Sequence, residues 1–470
     1  MNFLNLTSIF LLFFSLVKFS MIIVSRISNS LNTIHAKKFI LTYGLDDFSI
    51  SYEDRDKATL ALDYASRDKN ILGLVIYNRD CSSCYEEMRT IIQKFKNNNK
   101  FVSIYSPRVD LYSTYLFSPS QDISLLKNGT STLEAPIQYF PVNKIHPNVK
   151  EEIITTGDFK YTSLENGKLS QIFKEAKVLF LKSKYDIYVS EISKNLQIHN
   201  FHKLPPYINN NDLISSSQHL KATNFTNWSN EFSQPKISLK DYMYKHINKI
   251  NTVTKTNKIA VITLNGPIDE SNKACQPSFW IKVQNLIKDP NIKAIILRID
   301  SPGGSADLSY ELLSILENIS KIKPIIAHVD ELCASGAYMA AIGATKIFAK
   351  QDATIGSIGV IFSHPYSING AEIVKATESD TISPFAPLTD DQKQYVIIYL
   401  KQTLQNFRNA VSKNRKFASE YTDQISLGQV YTGLDAKKLG LIDENYNFIE
   451  TIEYIKKCYD LEQYELVYIV

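Results

Sequence analysis

The chain is short of the features that mark several common protein classes. Its five cysteines are an odd number with one close pair, Cys81 and Cys84, so they form no disulfide framework of the secreted kind. Neither sign of charge dominates: 52 Lys and Arg stand against 48 Asp and Glu, a net charge of +4. No basic stripe is interleaved with aromatics to track phosphates, which argues against nucleic acid as a partner. Beyond the N-terminus no apolar run reaches membrane-spanning length. What is present is the composition of a globular protein, 44% hydrophobic and 21% charged over 470 residues, enough for two to three domains with real cores.

The N-terminus carries "LTSIFLLFFSLVKFSMIIV", an apolar run broken by Lys18, of a length between a signal-peptide core and a signal anchor. The following "SRISNSLNTIHAKKFILTYG" is basic and has no acidic residue before Asp46. Residues 1–42 are therefore expected to direct the chain to a membrane through the secretory pathway. Their two-part character also fits a transit segment behind a signal sequence, as in import into a plastid of secondary origin.

Two stretches repeat one another. "DKNILGLVIYNRD" (68–80) and "DPNIKAIILRID" (289–300) share an Asp, an Asn-Ile pair, a buried-looking run and a closing Asp, and each is flanked by helix-like segments. An α/β protein of two related halves is expected: a degenerate first half at 43–185, a polar Asn/Ser-rich linker or insertion at 186–257, and a second half at 258–470. In the second half "KIAVITLNG", "KAIILRID", "PIIAHVD" and "KIFA" alternate with helical patterns, as in parallel βαβ units. Sites in such sheets form beyond the carboxyl ends of the strands, where "SPGGS" (301–305) and "CASGAY" (333–338) fall.

"IIAHVDELCASGAYMAAIGA" (325–344) puts a lone serine, Ser335, between a strand and an Ala-rich helix. Taken alone, such a serine is an N-cap. As a nucleophile it needs an exposed Oγ, a base, and N–H groups aimed at a developing oxyanion. The helix start at Gly336 offers an amide and the helix dipole. Gly303 and Gly304 are free to adopt positive φ and present bare amides across the same crevice.

"RIDSPGGS", "ASGAYMAA", "ATIGSIGV" (353–360) and "GQVYTGLDAKKLGLID" (428–443) occur in the order and approximate spacing of the signal peptide peptidase A family, also called protease IV or the S49 serine peptidases. The chain resembles that family from about Lys258 to about Tyr454. The resemblance implies a crotonase/Clp-like fold and Ser335 as nucleophile, with Ala337 replacing the second glycine of the family's "ASGGY". It also implies a lysine base. In single-domain members that lysine follows the "GSIG" segment, but here Ser379 stands at its place and Lys375 lies four residues too early. Tandem members supply it from the N-terminal half, and "GDFKY" (157–161) then points to Lys160, with Ser357 of "IGSIG" as the serine that orients it. To accept a proton, Lys160 must be held neutral by burial. The resemblance further implies hydrophobic peptide substrates such as remnant signal peptides, membrane association and a bowl-shaped homo-oligomer, and it calls for no metal or other cofactor.

Other readings stay open beside this one. Lys160 reads equally as a solvated lysine, and Ser357 as a turn residue. His364 in "VIFSHPYS" is the base of a rival Ser-His mechanism, while His328 reads as a core histidine. Cys81-Ser-Ser-Cys84 has the context of a thioredoxin-like redox pair, with Ala135-Pro136 as its cis-proline segment. A chain that keeps the fold without a productive Ser-Lys pair would be an inactive scaffold or binding protein.

Overall fold

The computed structural model describes residues 38–44, 52–78, 86–120, 122–138, 148–160, 169–250, 257–369 and 382–469. The apolar leader, the Cys81/Cys84 pair, Lys375 and Ser379 lie outside these residues. The first half contributes strands β1 (Phe39–Gly44), β2 (Ile71–Tyr77), β3 (Phe101–Ser106), β4 (Ile123–Leu126), β5 (Thr130–Thr132), β6 (Val149–Thr155), β7 (Tyr207–Asn209), β8 (Leu220–Thr223) and β9 (Lys236–Ser238). The second contributes β10 (Lys258–Asn265), β11 (Ile292–Ser301), β12 (Ile325–Ala334), β13 (Lys346–Ala349), β14 (Thr354–Gly356), β15 (Ile361–Ser367), β16 (Val430–Thr432) and β17 (Glu465–Ile469). The helices that matter below are α1 (Tyr52–Arg67), α2 (Glu87–Asn97), α3 (Leu111–Phe117), α4 (Gln171–Leu196), α5 (Ala306–Ser320), α6 (Gly336–Ala341), α7 (Asp390–Arg415) and α8 (Phe448–Tyr459).

The architecture is mixed α/β with two largely parallel sheets. The first runs β8-β4-β3-β2-β1-β9, the second β16-β14-β12-β11-β10-β17 with β13 also on β12. Strands β1, β2, β3 and β4 thus occupy the places that β10, β11, β12 and β14 hold in the other sheet. A 26-residue helix follows in each half, α4 and α7. The "ILGLVIY" and "IKAIILRIDS" runs are central strands because both faces are covered, which is why they are almost uninterrupted in apolar residues.

Two boundaries and one backbone feature differ from the sequence reading. Residues 39–42, assigned to the leader, belong to β1, which pairs β2 on one side and β9 on the other. Of the stretch 186–257, read as a linker or insertion, residues 186–250 are part of the first half's fold: β8 and β9 are the two outer strands of the first sheet, and β7 pairs β5. Much of the polar character there is helix capping, with Asn209 and Asn224 accepting from backbone amides at the starts of short helices. Buried Trp228 pins the segment to the sheet through its Nε1–H, donated to Ser103 Oγ at 2.9 Å. Ala135-Pro136 supplies no cis-proline, since no peptide bond among the described residues is cis.

Each half has its own apolar core, but α8 joins them. Its Ile449 is buried in the first half's cluster, while Phe448 and Ile452 pack with β10 and β11 residues Ile259 and Ile296. The two halves are also laced by β6 and β15, which pair antiparallel from Thr155↔Ile361 to Val149↔Ser367. No helix among the described residues is long and apolar enough to cross a membrane.

Candidate active site

Strand β12 ends at Ala334, and Ser335 turns the chain into α6 with φ 55° and ψ −124°. A non-glycine residue at positive φ is strained, and such turns persist where the surroundings over-determine them. Here the Ser335 amide is held by the Gly356 carbonyl at 2.7 Å on β14, and its own carbonyl accepts from Met339 N. The side chain makes no capping hydrogen bond, so the N-cap reading falls. The equivalent turn of the first half behaves oppositely: Asp110 is extended and closes a capping box on α3 with Ser113.

Lys160 arrives from the other half. Its Nζ donates to Ser335 Oγ at 2.7 Å, to the Ser357 carbonyl at 2.8 Å and to Ser357 Oγ at 3.2 Å. The β6–β15 pairing aims it, and the loop after β6 is then clamped. Thr156 exchanges backbone and hydroxyl hydrogen bonds with Val360, and Phe159 N donates to the Leu427 carbonyl. Gly428, at φ +91°, leaves room that no side chain could share, since a Cβ there would lie 2.4 Å from the Lys160 backbone. The residue keeps some exposure along the groove, but the protein enclosing it pushes its pKa down to about 7, by desolvation alone. Ser357 is itself at φ 53°, its amide donating to the Gln429 carbonyl at 2.6 Å.

The glycine loop lies against the same turn. A Cβ on Gly303, whose φ is +88°, would meet the Ala334 carbonyl and the Gly336 amide at 2.6 Å and Ser335 Cβ at 2.9 Å. A Cβ on Gly336 would strike Ser309 Oγ at 2.1 Å and come within 3.4 Å of the Gly304 amide. The three glycines therefore let two backbone segments and Ser335 touch. The Gly303 amide is taken by Ser301 Oγ at 3.2 Å. The Gly304 and Gly336 amides donate no hydrogen bond recorded between described residues, which leaves them as the pair available to an oxyanion.

The rival histidines are occupied elsewhere. His364 Nε2 faces the Ala386 carbonyl at 2.9 Å and the ring stacks on Tyr366, while fully buried His328 has Nδ1 on Thr451 Oγ1 at 3.0 Å. Thr156, Ser309, Gly359 and Gly428 were not singled out from the sequence. Gly428 opens the quoted "GQVYTGLDAKKLGLID", but its use as the floor under Lys160 depends on a contact between halves.

A strained serine at a strand-to-helix turn, a desolvated lysine on its hydroxyl and two free amides beside it make the layout of a serine-hydrolase site on an α/β scaffold. Residues 317–462 match the model described as Peptidase family S49. The chain is 36% identical over 170 residues to a putative protease of Methanocaldococcus jannaschii, covering 34% of this chain and 55% of that protein. It is 25% identical over 459 residues to Protease 4 of Salmonella typhi, covering 87% of this chain and 72% of that protein. A third relative, "Serine protease SPPA, chloroplastic" of Arabidopsis thaliana, is 27% identical over 194 residues, covering 39% of this chain and 29% of that protein. The similarity is to peptidase family S49, in its signal peptide peptidase A and protease IV branch. Of the first curated relatives it matches, the chain spans 55%, 37% and 63% of their length.

Proposed function

We propose that the chain is a serine endopeptidase with a Ser-Lys dyad on a crotonase/Clp-like fold of two related halves. Ser335 Oγ attacks the scissile carbonyl while neutral Lys160 takes its proton. The amides of Gly304 and Gly336 hold the oxyanion, and Lys160 returns the proton to the leaving amine. Ser357 keeps the lysine aimed. The observation that carries this reading is the 2.7 Å contact between Lys160 Nζ and Ser335 Oγ, made by a lysine whose pKa is brought to about 7. An inactive scaffold would have no reason to hold an amine desolvated against a strained serine.

The substrates are hydrophobic peptides such as remnant signal peptides, handled at a membrane by a homo-oligomer. Tyr395, Ile398 and Tyr399 stand exposed on one face of α7, at the helical spacing an assembly contact would use. A plastid destination accords with the two-part leader and with the chloroplastic relative.

The test is covalent labelling with a fluorophosphonate across pH. Wild type should label, Ser335→Ala should not, and Lys160→Ala should lose the label at every pH. Retention of full labelling in Lys160→Ala would return the base role to another residue and sink the dyad. The acidic limb of kcat/KM should have its midpoint near pH 7, because activity needs neutral Lys160 and is lost as the pH falls through its pKa of about 7. Gly303→Ala should lower kcat/KM at least about 100-fold by forcing the serine turn and the oxyanion amides apart. Near-wild-type turnover in that variant would mean the loop is not part of the site.

A further inference from the structure

Away from Ser335, the junction of the two halves buries a dense set of charges. Arg298 on β11 holds Asp330 of β12 through Nε and Nη2 at 2.5 and 2.8 Å, and holds Asp56 of α1 through Nη1 at 2.5 Å. Five carboxylates there, Asp56, Glu86, Glu87, Asp330 and Asp352, are all buried, against two buried cations, Arg298 and Lys350. Arg55 reaches in from the rim, 3.4 Å from Asp330 Oδ1. Five buried carboxylates against two buried cations make an imbalance that is costly in a medium of low polarity.

Among these carboxylates and His328, four atoms are buried without a hydrogen-bond partner, Glu86 Oε2, Asp352 Oδ1, Glu87 Oε1 and His328 Nε2, and the last two belong to side chains that come together, those of Glu87 and His328. Both residues are almost wholly buried, at 2% and 0% exposure. One ligand atom each from Glu87, His328 and Asp330 lies within 4.8 Å of the others. The histidine's other nitrogen is already fixed by Thr451 Oγ1 at 3.0 Å, and Asp330 is oriented by Arg298, the kind of outer support that metal ligands have.

We propose that Glu87, His328 and Asp330 bind a divalent cation of the zinc class. One imidazole nitrogen and two carboxylates suit zinc better than magnesium or calcium, which favour all-oxygen cages. The ion would give Glu87 Oε1 and His328 Nε2 a partner and offset the carboxylate excess. Because Glu87 comes from α2 of the first half and the other two ligands from β12 of the second, it would also tie the halves together on the strand that ends at Ser335. Glu86, next to Glu87 in the chain, lines a polar cleft of about 240 Å³ together with Thr90, Lys350 and Asn447. The sequence reading called for no metal, and this site stands apart from the Ser335–Lys160 pair and does not depend on it.

The experiment uses the purified full chain and reads metal content and melting temperature rather than hydrolysis. Elemental analysis should find about one zinc per chain. Dialysis against dipicolinate should lower the melting temperature by several degrees, ZnCl2 should restore it, and MgCl2 should not. Glu87→Gln, which keeps the side-chain shape, should hold no zinc and melt at one temperature with or without ZnCl2. Wild type that is free of metal as purified and unmoved by ZnCl2 would overturn the proposal. So would a Glu87→Gln variant that keeps stoichiometric zinc. If that variant does not fold, the wild-type zinc content and chelator response decide alone.

Discussion

Lys160→Met should abolish hydrolysis, a loss of at least about 10³ in kcat/KM, and at the same time raise the melting temperature. The two effects share a cause. Lys160 has its pKa lowered from 10.5 to about 7 by desolvation, so the folded protein releases a proton that the unfolded chain keeps. Between those values the unfolded state binds more protons, and stability rises with pH. Below pH 7 the full cost of burying the charge is present; above 10.5 it is gone. Methionine carries no such cost, so its advantage over wild type should be larger at pH 6 than at pH 9, by at most about 3 kcal/mol given the remaining exposure of the lysine. Melting curves of both proteins at the two pH values measure this directly. A methionine variant whose stability relative to wild type is the same at pH 6 and pH 9 would mean that Lys160 is solvated and not poised as a base.

Arg298→Met should be among the most damaging single changes in the chain. It leaves the buried carboxylates of Asp56 and Asp330 without their shared partner, and breaking a buried pair from one side costs about 3–5 kcal/mol. Arg298 also lies over the Phe448 ring at 4.4 Å, so its loss loosens α8, the helix that both cores share. Adding Asp56→Asn and Asp330→Asn to Arg298→Met should recover much of the stability by removing the stranded charges. By contrast Lys57→Ala, which breaks an exposed pair with Glu53, should change stability by less than about 1 kcal/mol. Denaturant midpoints for the variants would rank them. Equal costs for Arg298→Met and Lys57→Ala would show that the junction is open to water.

Much of the C-terminal site was legible because its signals are local. The "SPGGS" loop, Ser335 before the small-residue helix and the "GSIG" turn each carry their chemistry in adjacent residues, and parallel strands bring their ends to one edge. Lys160 was reached only through resemblance. Nothing in "GDFKY" fixes a direction, and the lysine is aimed by the β6–β15 pairing, a contact between distant segments. The folded stretch 186–250 was misread because its strands are three or four residues long and lie at sheet edges, too short to show a period, while its Asn and Ser side chains serve as caps. In the first half "DLYSTYLFS" (110–118) stands at the corresponding strand-to-helix turn. There Asp110 is a relaxed N-cap where the second half keeps strain.

By itself the sequence determined the strands of the second half, the repeat behind the two sheets, and the small residues that allow a serine to be approached. These rest on hydrophobic period and on backbone freedom, which act over a few residues. Only the tertiary structure decided that Lys160 meets Ser335, that it is desolvated there, and that Glu87 faces His328 and Asp330 across the junction. Those facts depend on burial and on long-range pairing, and a pKa or an orphaned ligand atom exists only once the surrounding chain has excluded water.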